Sequence, residues 1–415
     1  MNLGDRIVII GGGFAGLQMA RQLNKSFYRV TLIDKQNHHQ FQPLFYQVAT
    51  AGLEPSSISF PFRKIFQKSE NIEIRVARVI HIIPEQNIVV TTSGKIGYDQ
   101  LVIATGCSTN YFGNEHLQRF ALPMKTTQEA IAIRNKVLMS FEHIYSADEQ
   151  ELEGLLNIVI VGGGPTGVEL SGAFAEMKKY ILPKDYPRVD FSRLNIILIE
   201  GSKDTLNSMS ESSKKTSKKY LEKLGVKVRT EIVVTDYDGE VVTLSNGETI
   251  RSKNVIWAAG VTGNVISGII KSSVYRNRYR VDRFNKVAGY NNIYAIGDIA
   301  YMPTPKYPNG HPQVANVAIN QGVNLADNFL RRLKAELPVE YEYKDLGSMA
   351  TIGRHKAVVD FPFMKFRGAP AWYIWMFLHL MLILGVRNKL VIFLNWAWKY
   401  LTKDSSLRLI LEQNH

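Results

Sequence analysis

The chain has 415 residues, 45% hydrophobic and 21% charged, which excludes a disordered protein and leaves room for two or three domains with full cores. Its single cysteine, Cys107, excludes a disulfide framework and a dithiol redox pair. The formal net charge of +13 calls for an anionic partner or surface, but no basic stripe interleaved with aromatics marks a nucleic-acid site, and no metal site is read.

In chain order, residue 1 leads straight into the apolar run Arg6-Ile7-Val8-Ile9-Ile10, a predicted buried strand without a leader before it, so the catalytic domains are expected on the cytoplasmic side. Gly11-Gly12-Gly13-Phe14-Ala15-Gly16 follows and opens a helix. Such a turn lets a pyrophosphate approach bare backbone at a helix N-terminus, where unpaired N–H groups and the helix dipole favour an anion. Gly11, Gly13 and Gly16 are therefore candidate binding residues. Val30-Thr31-Leu32-Ile33 reads as the next strand and ends in Asp34, 18 residues after Gly16. A carboxylate at that tip accepts bonds from a ribose 2′-hydroxyl and repels a 2′-phosphate. Gln100-Leu101-Val102-Ile103-Ala104-Thr105-Gly106 closes the unit, and Cys107 after it reads as a small packed side chain.

The pattern then recurs. Asn157-Ile158-Val159-Ile160-Val161 runs into Gly162-Gly163-Gly164-Pro165-Thr166-Gly167, giving Gly162, Gly164 and Gly167 as candidates. Asn195-Ile196-Ile197-Leu198-Ile199 ends in Glu200, 33 residues after Gly167 because Lys178 to Arg193 is inserted. Asn254-Val255-Ile256-Trp257-Ala258-Ala259-Gly260 closes this unit. Gly11 to Gly106 is 95 residues and Gly162 to Gly260 is 98, so the chain contains an internal duplication and holds two nucleotides. The run Lys214-Lys215-Thr216-Ser217-Lys218-Lys219 reads as a solvated helix face.

A further strand, Asn292-Ile293-Tyr294-Ala295-Ile296-Gly297-Asp298, is expected to rejoin the first domain and bring Asp298 beside the first nucleotide. A helix over about 314–336 and antiparallel strands at Tyr341-Glu342-Tyr343 and Ala357-Val358-Val359-Asp360 follow. The fold class is α/β: two Rossmann-like dinucleotide-binding domains, one inserted in the other, with a C-terminal strand region and amphipathic membrane-anchoring helices. The expected domains are 1–112 and 281–340 for the first, 113–280 for the insert, and 341–415 for the C-terminal region, packed without low-complexity linkers. From Arg354 to His415 nine Lys or Arg face three Asp or Glu, beside four of the five tryptophans. Ala371 to Val386 is 16 residues without a charge, short of the roughly 20 that span a bilayer. Two short helices separated by Arg387-Asn388-Lys389 read as an anchor lying on an anionic lipid surface, with a dimer interface compatible with it.

These residues resemble two-dinucleotide flavoprotein reductases and, more narrowly, the type II NADH dehydrogenases. The narrower resemblance rests on His39-Gln40-Phe41-Gln42-Pro43-Leu44-Phe45-Tyr46-Gln47-Val48-Ala49-Thr50, on Gly347-Ser348-Met349-Ala350-Thr351-Ile352-Gly353, and on Asn395-Trp396-Ala397-Trp398-Lys399-Tyr400-Leu401. The resemblance implies non-covalent FAD held by Gly11, Gly13, Gly16, Asp34, Gly106 and Asp298, and NADH held by Gly162, Gly164, Gly167, Glu200 and Gly260. It implies hydride transfer to the flavin and two-electron reduction of a membrane quinone without proton pumping, by a peripheral homodimer. It also implies a catalytic Glu169 and quinone contacts at Gln47, Asn316 and Asn320. One departure stands out: the family's Ala-Gln-x-Ala-x-Gln reads Ala315-Asn316-Val317-Ala318-Ile319-Asn320, so both amides lose a methylene. An oxygen-reducing NADH oxidase and a non-catalytic NADH-sensing scaffold are the competing readings. Sulfide:quinone reductase chemistry needs more cysteines than one.

Overall fold

The computed structural model describes residues 4–404 and 407–410; the end of the expected C-terminal region, 411–415, lies outside the described residues. The elements used below are, in chain order, β1 (Arg6–Ile10), α1 (Phe14–Gln22), β2 (Arg29–Asp34), α2 (Phe45–Ala49), β3 (Ile72–Val76), β4 (Gln100–Ile103), β5 (Asn157–Val161), α3 (Pro165–Tyr180) and β6 (Asn195–Glu200). They continue with β7 (Val226–Thr230), β8 (Asn254–Trp257), β9 (Ile293–Ala295), α4 (Ala315–Leu333), β10 (Ser348–Gly353), β11 (Lys356–Asp360), β12 (Lys365–Arg367), α5 (Ala369–Leu382) and α6 (Val386–Thr402).

Two compact units form. The first comprises residues 1–40, 60–108 and 261–344, and the second residues 41–59, 109–260 and 345–415. In the first, β9, β4, β1, β2 and β3 lie in that order as one parallel sheet. Ile7, Val8 and Ile9 are fully buried, as expected of a strand covered on both faces. Each such side chain contributes roughly 1.5–3 kcal/mol of apolar burial. Strand order reverses on either side of β1, so the crevice beyond its C-terminal end is the switch point where such sheets bind ligands. The second unit repeats the plan: a two-residue strand at Leu122–Pro123, then β8, β5, β6 and β7, all parallel. The duplication read from spacing is thus a duplication of topology.

The unit bounds differ from the expected domains in three places. Residues 41–59, expected within the first domain, pack with the second unit. Residues 261–280 pack with the first unit, where Thr105 Oγ1 donates to the Asn264 carbonyl at 2.7 Å and Asn264 Nδ2 returns a bond to the Thr105 carbonyl at 3.0 Å. The segment 345–415 is no separate body: β10 lies against α3, where Gly172 meets the Ile352 carbonyl so closely that a Cβ has no room. The strand expected at Tyr341–Tyr343 is irregular, since the Tyr341 amide N–H bonds the Arg283 carbonyl singly rather than joining a ladder. Lys356–Asp360 is a strand, pairing antiparallel with β10 and β12.

The tail forms two helices, but the break falls at Ile383–Gly385, where Gly385 adopts φ +77°, so Arg387, Asn388 and Lys389 lie in the first turn of α6. With 14 and 17 residues they are short, and no helix among the described residues is long and apolar enough to cross a membrane. Exposed apolar side chains recur at helical spacing: Tyr373, Phe377 and Met381 on α5, and Val386, Leu390, Phe393, Leu394, Trp398 and Leu401 on α6.

Candidate functional site

Each unit offers a built cradle after its central strand. Gly11 and Gly162 adopt φ +103° and +109° with their faces against the backbone at Ala104 and Ala258, where a Cβ would collide. Gly13 and Gly164 are the N-cap residues of α1 and α3, and neither helix receives a side-chain cap. By contrast the helix Thr127–His143 carries a full capping box from Thr126 and Glu129. The uncapped N–H groups are left for a ligand, and the space where a Cβ of Gly13 or Gly164 would stand is open. Gly106 and Gly260, both at positive φ, turn the chain after β4 and β8.

The two acidic tips act alike. Asp34 accepts from the Gly12 N–H at 2.6 Å and the Gln36 N–H at 2.7 Å. Glu200 accepts from the Gly163 N–H at 2.5 Å, from the Ser202 N–H at 2.8 Å and from the Ser202 hydroxyl. Each carboxylate therefore sits at its glycine turn with lone pairs to spare for a ribose. Burial raises the Asp34 pKa, and the two N–H bonds oppose it. His39 is buried under the first turn with Nδ1 3.0 Å from the Gly12 carbonyl. Burial lowers its pKa to about 4, so the ring is neutral and Nδ1–H is the donor. Asp298 lies on a 3-10 turn of the first unit, accepting the Cys107 thiol at 3.0 Å. Gln321 of α4 pins that turn by accepting the Gly297 N–H at 2.7 Å.

A different site lies in the second unit. A cavity of about 110 Å³ is walled by Tyr46 and Gln47 of α2, Glu169 of α3, Trp375 of α5, and Trp396 and Lys399 of α6. Glu169 is 8% exposed and so is no solvated surface charge of α3. Its carboxyl accepts the Thr351 N–H at 3.3 Å, and burial raises its pKa to about 8 against the opposing effect of that bond and the nearby Trp375. At neutral pH it is an acid holding its proton. Lys399 is partly exposed as a residue, and burial lowers its pKa while Glu176 opposes the fall. Trp396 Nε1–H donates to Gln47 Oε1 at 2.8 Å, and Gln47 Nε2 donates to the Tyr46 hydroxyl at 2.9 Å. Trp375 stacks on His379 with centroids 4.1 Å apart, and its buried Nε1–H faces the Glu169 carboxyl. A proton donor, a cation and aromatic walls suit a flat acceptor that gains electrons and protons.

The chain matches the pyridine nucleotide-disulphide oxidoreductase family over residues 5–322 and the NDH2 C-terminal domain over residues 346–403. A type II NADH:quinone oxidoreductase of Mycobacterium tuberculosis is 32% identical, the alignment covering 98% of this chain and 90% of the relative. The chain belongs to the type II NADH:quinone oxidoreductases. A relative of the same name from Staphylococcus aureus is 28% identical over 85% of this chain and 89% of its own. The Plasmodium falciparum NDH2 structure solved with NADH superposes with a TM-score of 0.90 at 21% identity, covering 98% of this chain and 100% of that one. The sulfide:quinone oxidoreductase of Aquifex aeolicus shares the fold at a TM-score of 0.74 and 22% identity, covering 93% and 92%.

Against this type II framework, the sequence-read residues divide by unit. Gly11, Gly13, Gly16, Asp34, Gly106 and Asp298 belong to the first, with Asn316 and Asn320; Gly162, Gly164, Gly167, Glu200 and Gly260 belong to the second, with Gln47 and Glu169. The two shortened amides bond each other: Asn320 Nδ2 donates to Asn316 Oδ1 at 2.6 Å and to the Asn316 carbonyl at 2.9 Å. Tyr46, Trp375 and Lys399 were missed as site residues because their segments read as a motif and an anchor. A signal existed: Lys399 lies three residues after the buried Trp396, on the helix face that turns inward.

Proposed function

We propose that this chain oxidises NADH and delivers the electrons to a membrane quinone without pumping protons, at a lipid surface it does not cross. The observation that carries this reading is the cavity holding buried, protonated Glu169 in the same unit as the unpartnered apolar faces of α5 and α6. The first glycine cradle, with its uncapped α1 N-terminus, has the room and the donors for the FAD pyrophosphate, Asp34 for its ribose, and Asp298 for the ribityl chain. Bound there, FAD would supply two-electron redox chemistry between NADH and the quinone. The protein's own work is positional and protonic. The turn at Gly162, Gly164, Gly167 and Gly260 holds the NADH pyrophosphate, and Glu200 takes the ribose hydroxyls.

Reducing a quinone to its quinol takes two electrons and two protons, and the hydride released by NADH accounts for both electrons and one of the protons, leaving one proton to be supplied. Glu169 supplies a proton below pH 8, where it is charged with one, and Lys399 stabilises negative charge forming on the quinone oxygens. Gln47 fixes the cavity wall through Trp396, and quinone contacts are proposed at Asn316 and Asn320. Arg387 and Lys403 flank the exposed apolar stripe of α6 and suit anionic headgroups, in keeping with a peripheral protein on the cytoplasmic side of the cell membrane that acts as a homodimer. The test is anaerobic rapid mixing. NADH bleaches the flavin absorbance, and a short-chain quinone restores it within one turnover time. A protein that stays bleached after quinone is added contradicts the proposal.

A further inference from the structure

Hydrogen bonding around Tyr46 has a direction, set by a chain of three side chains that are each at least 92% buried. An indole N–H only donates, so the Gln47 atom 2.8 Å from Trp396 Nε1 is its oxygen. The amide nitrogen of Gln47 then faces the Tyr46 hydroxyl at 2.9 Å, and that phenolic oxygen is the acceptor. Its own O–H hydrogen must point elsewhere. Among the described residues no hydrogen bond spends it, although Tyr46 is buried and lines the cavity beside Glu169. Trp375 Nε1–H, also buried, faces the same space beside the Glu169 carboxyl. A donor left unpaired inside a protein is costly unless an acceptor arrives to meet it.

We propose that Tyr46 is a substrate-contacting residue: its hydroxyl, aimed by the Trp396–Gln47 pair, donates a hydrogen bond to a carbonyl oxygen of the quinone. The assignment rests on the cavity being the quinone site. A para-quinone presents acceptor oxygens and no donors, matching the unspent Tyr46 O–H. The bond strengthens as negative charge gathers on that oxygen during reduction, so it favours the reaction and not binding alone. Trp396 and Gln47 are positioning residues: without the indole donor the amide is free to turn, Tyr46 then donates to Gln47 Oε1, and the cavity loses its donor.

The test uses the full-length flavoprotein reduced by NADH without oxygen and mixed with a short-chain ubiquinone, the rate of reoxidation being read. Tyr46→Phe is expected to slow it roughly 3- to 30-fold, the range for one hydrogen bond to a group gaining charge. Trp396→Phe is expected to slow it in the same direction, and the Tyr46→Phe/Trp396→Phe double variant to be no slower than Tyr46→Phe. Multiplicative effects in the double variant overturn the aiming argument. Ferricyanide, which has no carbonyl oxygen, is the second acceptor; equal slowing with ferricyanide overturns the proposal by showing general damage. Ala173→Trp, which fills the cavity, separates the two claims. If it blocks quinone while Tyr46→Phe matches the wild type, the Tyr46 assignment falls and the site stands. If quinone reoxidises Ala173→Trp normally, the site itself is misplaced and the assignment falls with it.

Discussion

Glu169→Gln isolates the cost of keeping a carboxyl group inside the cavity. In the unfolded chain Glu169 titrates near its ordinary value of 4.5, and in the folded protein near 8, because burial disfavours the charged form more than the Thr351 N–H favours it. Between these values the unfolded chain has released the proton that the folded protein retains. Stability therefore falls as pH rises through this window, by about 1.4 kcal/mol per pH unit, and is unaffected by this group below about pH 4. Glutamine keeps the shape and cannot ionise. From pH 5.5 to 7.5 the wild type is expected to lose on the order of 2–3 kcal/mol relative to Glu169→Gln, the difference levelling off above pH 8. Urea unfolding of the flavin-loaded protein at a series of pH values, read by Trp fluorescence and flavin release together, measures this. Parallel curves for the two proteins across that range would falsify the claim that Glu169 is a buried acid. The same group predicts the kinetic profile: quinone-dependent reoxidation declines as pH passes about 8 in the wild type, and is slow and flat there in the variant.

Glu200→Gln should raise kcat/KM for NADPH roughly tenfold while NADH is held less tightly, because it removes a like charge facing the 2′-phosphate; steady-state kinetics with both nucleotides check it, and an unchanged preference argues against the contact. Phe393→Asp with Trp398→Asp, both exposed positions, should lower binding to anionic vesicles by at least about tenfold without altering the melting temperature, and the residual binding should weaken further with salt. Asn316→Gln with Asn320→Gln breaks the mutual amide bond and should change quinone kcat/KM by a few-fold, as one hydrogen bond allows. Altered NADH-driven flavin bleaching at constant quinone kinetics would place those amides elsewhere.

What the sequence carried was whatever local chemistry dictates. The paired glycine turns, their strands and the acidic tips at Asp34 and Glu200 each follow from a few adjacent residues, and the structure repeats them down to the Gly12 and Gly163 N–H bonds. The cavity was legible only in part. Gln47 and Glu169 came from motif resemblance, but Trp375, Trp396 and Lys399 lie more than 200 residues after Glu169, in segments whose apolar and basic character speaks first of a surface. Each of these helices has two faces, and composition reports their sum. Trp396 turns inward to Gln47 while Trp398, two residues on, is 65% exposed. The strand expected at Tyr341–Tyr343 failed for a related reason: alternating aromatics signal burial, and Tyr341 and Tyr343 are buried in the first unit's core, but nothing local shows whether a ladder partner exists.

The most direct measurement of where quinone is reduced is photolabelling with an azido-quinone on the NADH-reduced flavoprotein, followed by peptide mapping. The account predicts adducts within Tyr46–Thr50, Glu169–Glu176 and Trp396–Lys403, all suppressed by excess unlabelled quinone. Competable adducts confined to other segments, with these three unlabelled, would contradict it.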